Sequence, residues 1–393
     1  MPYAGEPSNP FGVERFLERI DEGVVDAYCR FFDKVEDLSK TLKEEDVIPF
    51  DLPQDPPIPV AIAVDGGQSI LFREHPFLSI GLVRVSASPF PWGGRGKELR
   101  FPPVEDQIAP PALLGLGEAD GFRERAREAM RARFSGEWGA VGEILQVFSR
   151  RTKIGLQDLG TYYQKDLEGF TRVLREVLEW AYMVWILEGF SGAVGPSRLL
   201  LIKDGRLAQT GVENSFRKKL KDYFAQSGAL IVGVSKRSRM VQEGLISLVI
   251  SEWLEDQANR LGHGRFLIRV PEELMKEAYK YERQWNAEAE QTFSLGRRYV
   301  LRLFEETLEP GQAVAVLDIP ERVDEEGVKT IGAVLKEARS ALFGGSVGYL
   351  QEAHGRASIG EGLSQKLRRA IMERLRERLP EERWWKYMRI LQV

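Results

Sequence analysis

The sequence predicts an α/β fold, a mixed sheet flanked by helices, from three observations. Apolar runs of strand length, VAIAV at 60–64 and LLLIK at 199–203, each end in Asp-Gly. The earliest runs follow one another too closely for a helical crossover, which makes them an antiparallel meander. The later runs alternate with helical periodicities, which makes them neighbours joined by crossovers and running parallel.

In chain order, residues 11–45 read as an amphipathic helix with Phe16, Ile20, Val24, Val25, Tyr28, Phe31 and Phe32 at helical spacing. Its apolar stripe suits core packing or a dimer interface. A proline-rich connection follows, with Pro49, Pro53, Pro56, Pro57 and Pro59. Strands are expected at 60–64, 69–72 and 77–87, the first two joined by a tight turn at Gly66-Gly67. Residues 88–118 are rich in Pro and Gly and read as a loop or insertion. Helices are expected at 121–150 and 157–190, a strand at 197–203, a helix at 211–227 and a strand at 229–234. Helix 238–258, strands 266–270, 299–304 and 313–319, helix 324–342 and a helical, basic-aromatic C-terminus complete the pattern. Three meander strands followed by helix, strand, helix and strand is the order of a ribonuclease H-like mixed sheet. An N-terminal helix precedes that sheet and a helical extension follows it.

The 393 residues are 43% hydrophobic and 29% charged, enough to bury a substantial core. The formal net charge of -4 means that any nucleic-acid surface must be a local basic groove, not an overall basic excess. The single cysteine, Cys29, excludes an internal disulfide and fits a reducing cytoplasm. No signal peptide and no membrane span are expected, because the apolar stretch at 180–190 is short and carries Glu188.

Asp65 and Asp204 each follow a buried-strand run and each precede a glycine. A lone Asp-Gly is usually a turn. Two of them, each closing one of the most strand-like runs, place two carboxylates at one sheet edge, where open sheets carry their sites. Two such carboxylates repel unless a cation lies between them. A third ligand is expected from the helix over 157–190, where Glu179 lies between Leu178 and Trp180. Glu188 is its rival and Glu176 a weaker one. Hard oxygen donors of this kind suit Mg²⁺ or Mn²⁺ and phosphodiester cleavage through two ions. The histidines available to such a site are His75, His263 and His354.

Five short segments in order resemble the NurA nuclease family. They are PVAIAVDGGQS (59–69); Arg175-x-x-x-Glu179 together with LLLIKDGRL (199–207); LIVGVSKRSR (230–239); VLDIP (316–320); and GYLQEAHGRASI (348–359). Gly67 stands where the family usually has serine, and the spacing from Tyr349 to His354 is shorter than its pattern. The resemblance implies a metal-dependent deoxyribonuclease, a 5′ to 3′ exonuclease and single-strand endonuclease acting in DNA end resection and repair. It implies Asp65, Glu179, Asp204 and His354 as catalytic metal ligands, with Tyr349 as a further catalytic residue. Mn²⁺ (or Mg²⁺), as two ions, is the implied cofactor. Lys236, Arg237, Arg239 and Arg206 become candidate contacts to single- or double-stranded DNA. A homodimer working with a hexameric HerA-type DNA translocase is also implied.

The organisation expected is an N-terminal arm at 1–48, a nuclease domain at 59–360 with an insertion around 88–150, and a basic-aromatic segment at 361–393. Trp384, Trp385 and Tyr387 in that last segment read as packing or partner anchors. The basic groups at 217–221 and 366–369 read as solvated helix faces, and Lys203 as a phosphate-steering or exposed residue. Two other readings compete with the nuclease. One is a catalytically inactive adaptor of a DNA translocase. The other is a different metal-dependent enzyme acting on phosphate esters. No Walker-type glycine loop is present in the sequence.

Overall fold

The computed structural model describes residues 21–52, 60–73, 79–90, 100–101, 103–107, 119–194, 199–207, 212–235, 244–281, 296–304, 314–340 and 346–385. Among these residues the strands are β1 (Val47–Pro49), β2 (Val60–Leu71), β3 (Ile80–Phe90), β4 (Val104–Gln107), β5 (Leu199–Asp204), β6 (Leu230–Ser235), β7 (Phe266–Arg269), β8 (Gly296–Arg302), β9 (Val314–Pro320), β10 (Arg339–Ser340) and β11 (Ser346–Val347). The helices are α1 (Asp26–Ser39), α2 (Ala119–Ser135), α3 (Gly139–Thr152), α4 (Leu167–Val194), α5 (Asn214–Ser227), α6 (Gly244–Leu261), α7 (Glu272–Tyr281), α8 (Glu325–Glu337), α9 (Gly348–Ala357) and α10 (Glu361–Arg378).

Nine strands form one mixed sheet in the order β1-β7-β8-β9-β6-β5-β2-β3-β4. Strands β2, β5 and β6 run parallel at its centre, and every other pairing in it is antiparallel. Alternation along the strands divides the core between the two faces. Val60, Ile62, Val64, Leu199 and Leu201 pack against α2, α3, α4 and α5. On the same face, Phe266, Ile268, Val300 and Val316 pack against α1 and α6. On the opposite face, Ala61, Ala63, Leu200, Ile202, Val232 and Val234 pack against α8 and α9.

Two expectations from sequence are corrected here. The glycines at 66 and 67 do not turn the chain, because β2 continues straight through Asp65-Gly66-Gly67 to Leu71 and pairs with β3 along that length. The third meander strand is instead β4, inside the stretch expected to be loop. Its Asp106 is buried against the Arg133 guanidinium of α2, with Nε donating at 2.6 Å. Such a pair is tolerated inside because both charges are compensated.

Helix α4 is apolar around most of its circumference and lies buried across β2, β3 and β5. It begins where Asp166 Oδ1 accepts the Gly169 N–H at 2.7 Å, an N-capping contact. The described part of the N-terminal arm is only partly covered by packing. Val35 is buried against α6 and the Trp253 indole donates to the Ser39 carbonyl at 2.9 Å, whereas Val24, Val25, Tyr28 and Phe32 are exposed.

Candidate active site

The parallel register of β2 and β5 brings the two Asp-Gly carboxylates together. Val64 pairs with Lys203, so Asp65 and Asp204, one residue further along each strand, stand side by side. Both belong to the alternation of Ala63 and Ile202, which face α8 and α9. Asp204 ends β5, whereas Asp65 lies in mid-strand, not at the strand end expected from sequence.

Helix α9 supplies the third side chain. The Nδ1 of His354 lies 2.6 Å from Asp65 Oδ2 and 3.9 Å from Asp204 Oδ2. One donor atom from each of Asp65, Asp204 and His354 lies within 4.8 Å of the other two. Two carboxylate oxygens and an imidazole are a donor set suited to a hard or borderline divalent cation. Asp65 is held further by its Oδ1, which accepts the Gly66 N–H at 2.7 Å.

The two glycines after Asp65 allow close approach on opposite faces of the strand. A Cβ at Gly67 would stand 2.1 Å from the Ala357 carbonyl oxygen, so the absence of a side chain there lets the end of α9 lie on the sheet. A Cβ at Gly66 would stand 2.5 Å from Glu179 Oε1 on the α4 side. His354 and Glu179 therefore flank β2 from its two sides.

Glu179 does not converge with the other three, because its carboxylate is taken up elsewhere. Lys203 Nζ lies 2.6 Å from Glu179 Oε2, and Arg175 Nε lies 3.5 Å from Oε1. Burial pushes Glu179 up to about 7, and the nearby Glu176 and Asp65 charges add to the rise, against Lys203 and Arg175, which favour the ionised form. For Lys203, burial acts downward, but the Glu176 and Glu179 carboxylates outweigh it and hold the ammonium above its usual range. Lys203 is thus a buried partner of α4, which corrects the reading of an exposed or phosphate-steering lysine. Glu188 lies elsewhere on α4, where it accepts the Tyr223 hydroxyl at 2.9 Å and pairs with Arg151 at 2.6 Å.

After Asp204 the chain folds back over the sheet. Gly205 has φ +83° and its N–H donates to the Val234 carbonyl at 2.9 Å. A Cβ at Gly233 would meet the Gly205 carbonyl oxygen at 2.7 Å and the Leu207 nitrogen at 2.9 Å. Asp318 then fixes the turn, because its Oδ2 accepts the Leu207 N–H at 3.0 Å while Arg298 Nε donates to Oδ1 at 3.2 Å. Gly233 and Asp318 were not among the residues selected from sequence. A lone carboxylate inside the apolar run of β9 was the available signal for Asp318.

Tyr349 lies in the first turn of α9, its ring 4.6 Å from that of Phe90. Arg206 lies in the turn after Asp204. Lys236, Arg237, Arg239 and His75 lie outside the described residues. The His263 Nδ1 accepts the Arg265 N–H at 3.2 Å, a contact within the loop after α6.

No protein-family model matches the chain, and no curated protein matches it. Solved structures do resemble it. The NurA nuclease from Sulfolobus solfataricus is 14% identical, with a TM-score of 0.40 over 92% of this chain and 98% of that one. NurA bound to dAMP and manganese is 12% identical, with a TM-score of 0.32 over 94% and 98%. NurA with manganese is 10% identical, with a TM-score of 0.31 over 90% and 99%. All three are crystal structures of NurA. A likeness this distant assigns no activity by itself, and the chemistry of the chain is carried by the side chains at β2, β5 and α9.

Proposed function

We propose that this chain is a metal-dependent deoxyribonuclease of the NurA type that hydrolyses phosphodiester bonds in DNA. The observation that carries the reading is the convergence of Asp65, Asp204 and His354 within 4.8 Å, from two strands and a helix far apart in sequence. The central β4-β3-β2-β5-β6 order, with β2, β5 and β6 parallel, supports a ribonuclease H-like core within the larger sheet.

In this reading Asp65, Asp204 and His354 hold Mn²⁺ or Mg²⁺. The bound ion supplies Lewis acidity at the phosphate and charge compensation for the developing oxyanion. Asp65 orients the imidazole, since a carboxylate acceptor keeps the proton on Nδ1 and leaves the lone pair on Nε2. The His354 side chain is 57% exposed, so substrate and water can reach it. Glu179 is the sequence-assigned further ligand, and its pairing with Lys203 bears on how many ions the site takes. Arg206, Lys236, Arg237 and Arg239 are assigned to DNA backbone contact, and Tyr349 is kept as a catalytic candidate on the resemblance alone.

The five-segment resemblance supports the finer assignments. These are 5′ to 3′ exonuclease and single-strand endonuclease activity in cytoplasmic end resection, a homodimer, and a hexameric HerA-type translocase as partner. No helix among the described residues is long and apolar enough to cross a membrane.

The test is end-labelled single-stranded DNA incubated in Mn²⁺ with the wild type, with Asp204→Ala, and with the wild type in EDTA. Degradation by the wild type alone supports the reading. Equal degradation by wild type and variant excludes Asp204 from the site. No degradation by the wild type, alone or with a HerA-type translocase added, favours an adaptor.

A further inference from the structure

The Lys203 ammonium occupies a built site. It lies 2.6 Å from Glu179 Oε2, 4.0 Å from Glu176 Oε1 and 3.3 Å from the Asp204 carbonyl oxygen, with the Trp180 ring centroid 5.7 Å away. Its side chain is 4% exposed, and its backbone is clamped between β2 and β6 through the pairings with Val64 and Gly233. Neither the strand nor the side chain has an easy way out.

Glu179 faces α4, across β2 from His354, and its carboxylate is matched there by the Lys203 ammonium, with Glu176 and Arg175 beside the pair. A cation on Glu179 would have to share that buried place with the Lys203 ammonium, and two like charges in a poorly solvated place are costly.

We infer that this site takes a single divalent cation, held by Asp65, Asp204 and His354, and that Lys203 stands in for a second one by occupying Glu179. The inference rests on the metal-dependent reading of the site and departs from the two-ion arrangement expected from sequence. Lys203 acts here as a fixed counter-charge, whereas a second ion would have to displace it before reaching the Glu179 carboxylate.

The experiment is a calorimetric titration of the intact protein with Mn²⁺, with and without a non-cleavable phosphorothioate oligonucleotide. Electron paramagnetic resonance of the bound ion runs in parallel. The expected result is one equivalent in both conditions, with the six-line spectrum of an isolated Mn²⁺. In Lys203→Met the freed Glu179 recruits a second equivalent, with a spectrum broadened by coupling between the ions. Lys203→Met combined with Glu179→Gln returns to one. Two equivalents or a coupled spectrum in the wild type overturn the inference while leaving the metal-dependent reading intact. A folded Lys203→Met that still binds one equivalent removes Lys203 as the excluding group. No Mn²⁺ binding by the wild type overturns the metal-dependent reading itself, and the inference with it. The wild-type titration decides the stoichiometry even if the variants fail to fold.

Discussion

His354 and Asp65 are 289 residues apart in the chain, yet Nδ1 of one lies 2.6 Å from Oδ2 of the other. That contact joins α9 to the middle of β2 and makes His354 both a donor atom of the site and a partner that orients Asp65. His354→Ala is expected to weaken Mn²⁺ binding by more than the roughly 10–100-fold that follows loss of a group that only orients a metal ligand. Calorimetric titration of the variant checks this, with circular dichroism to show that it folds. An unchanged affinity would remove His354 from the site.

The close approaches at Gly66 and Gly67 have different consequences. Gly67→Ala sets a methyl group against the Ala357 backbone carbonyl, which cannot move without shifting α9 and His354 with it. A destabilisation of about 1–3 kcal/mol is expected, typical of forced overpacking, together with loss of DNA cleavage. Gly66→Ala meets Glu179 Oε1 and the Cγ atoms of Glu179 and Arg175, which are side-chain atoms and not backbone, and should cost less stability. Denaturant unfolding of the two variants side by side gives the order.

Asp318→Ala removes the acceptor for the Leu207 N–H and leaves the Arg298 guanidinium buried without its carboxylate. Breaking one side of a buried pair costs about 3–5 kcal/mol. Urea unfolding of Asp318→Ala should show a loss in that range. If the loss is below about 1 kcal/mol, water reaches Arg298 and the pair is not a structural lock.

Asp158 carries a pH dependence whose sign follows from its partners. Burial acts to raise its carboxyl, but the Lys219 ammonium, the Ser215 hydroxyl and the Gly155 N–H outweigh it and hold it below the ordinary carboxylate range. A lowered folded-state pKa stabilises the fold above the unfolded value, about 3.9 for Asp, and that stability is lost as pH falls through the lowered folded value. The stability gap between wild type and Asp158→Asn should therefore be constant from about pH 5 to pH 8 and close in stronger acid. Unfolding free energies measured across that range decide it. A gap that widens in acid would reverse the assignment.

The sequence alone determined which strands exist at the site and which carboxylates they carry. The VAIAV and LLLIK runs are apolar on both faces because helices cover both sides of β2 and β5, and that continuous pattern is legible without coordinates. Asp65, Asp204 and His354 were selected on local grounds and on motif order, and the fold brings them together. What the glycines after Asp65 do could not be read locally. An Asp-Gly-Gly segment has the same composition in a hairpin as in a straight strand that needs room on both faces, and only α4 and α9 pressing from either side decide between them. The same holds for Lys203, whose charge suggests solvent. Its place in β5 points it at Glu179, a pairing fixed by strand register and by the packing of α4, neither of which is a property of neighbouring residues. Sequence named the acids of the site, and tertiary structure set which of them converge with His354 and which is paired with Lys203.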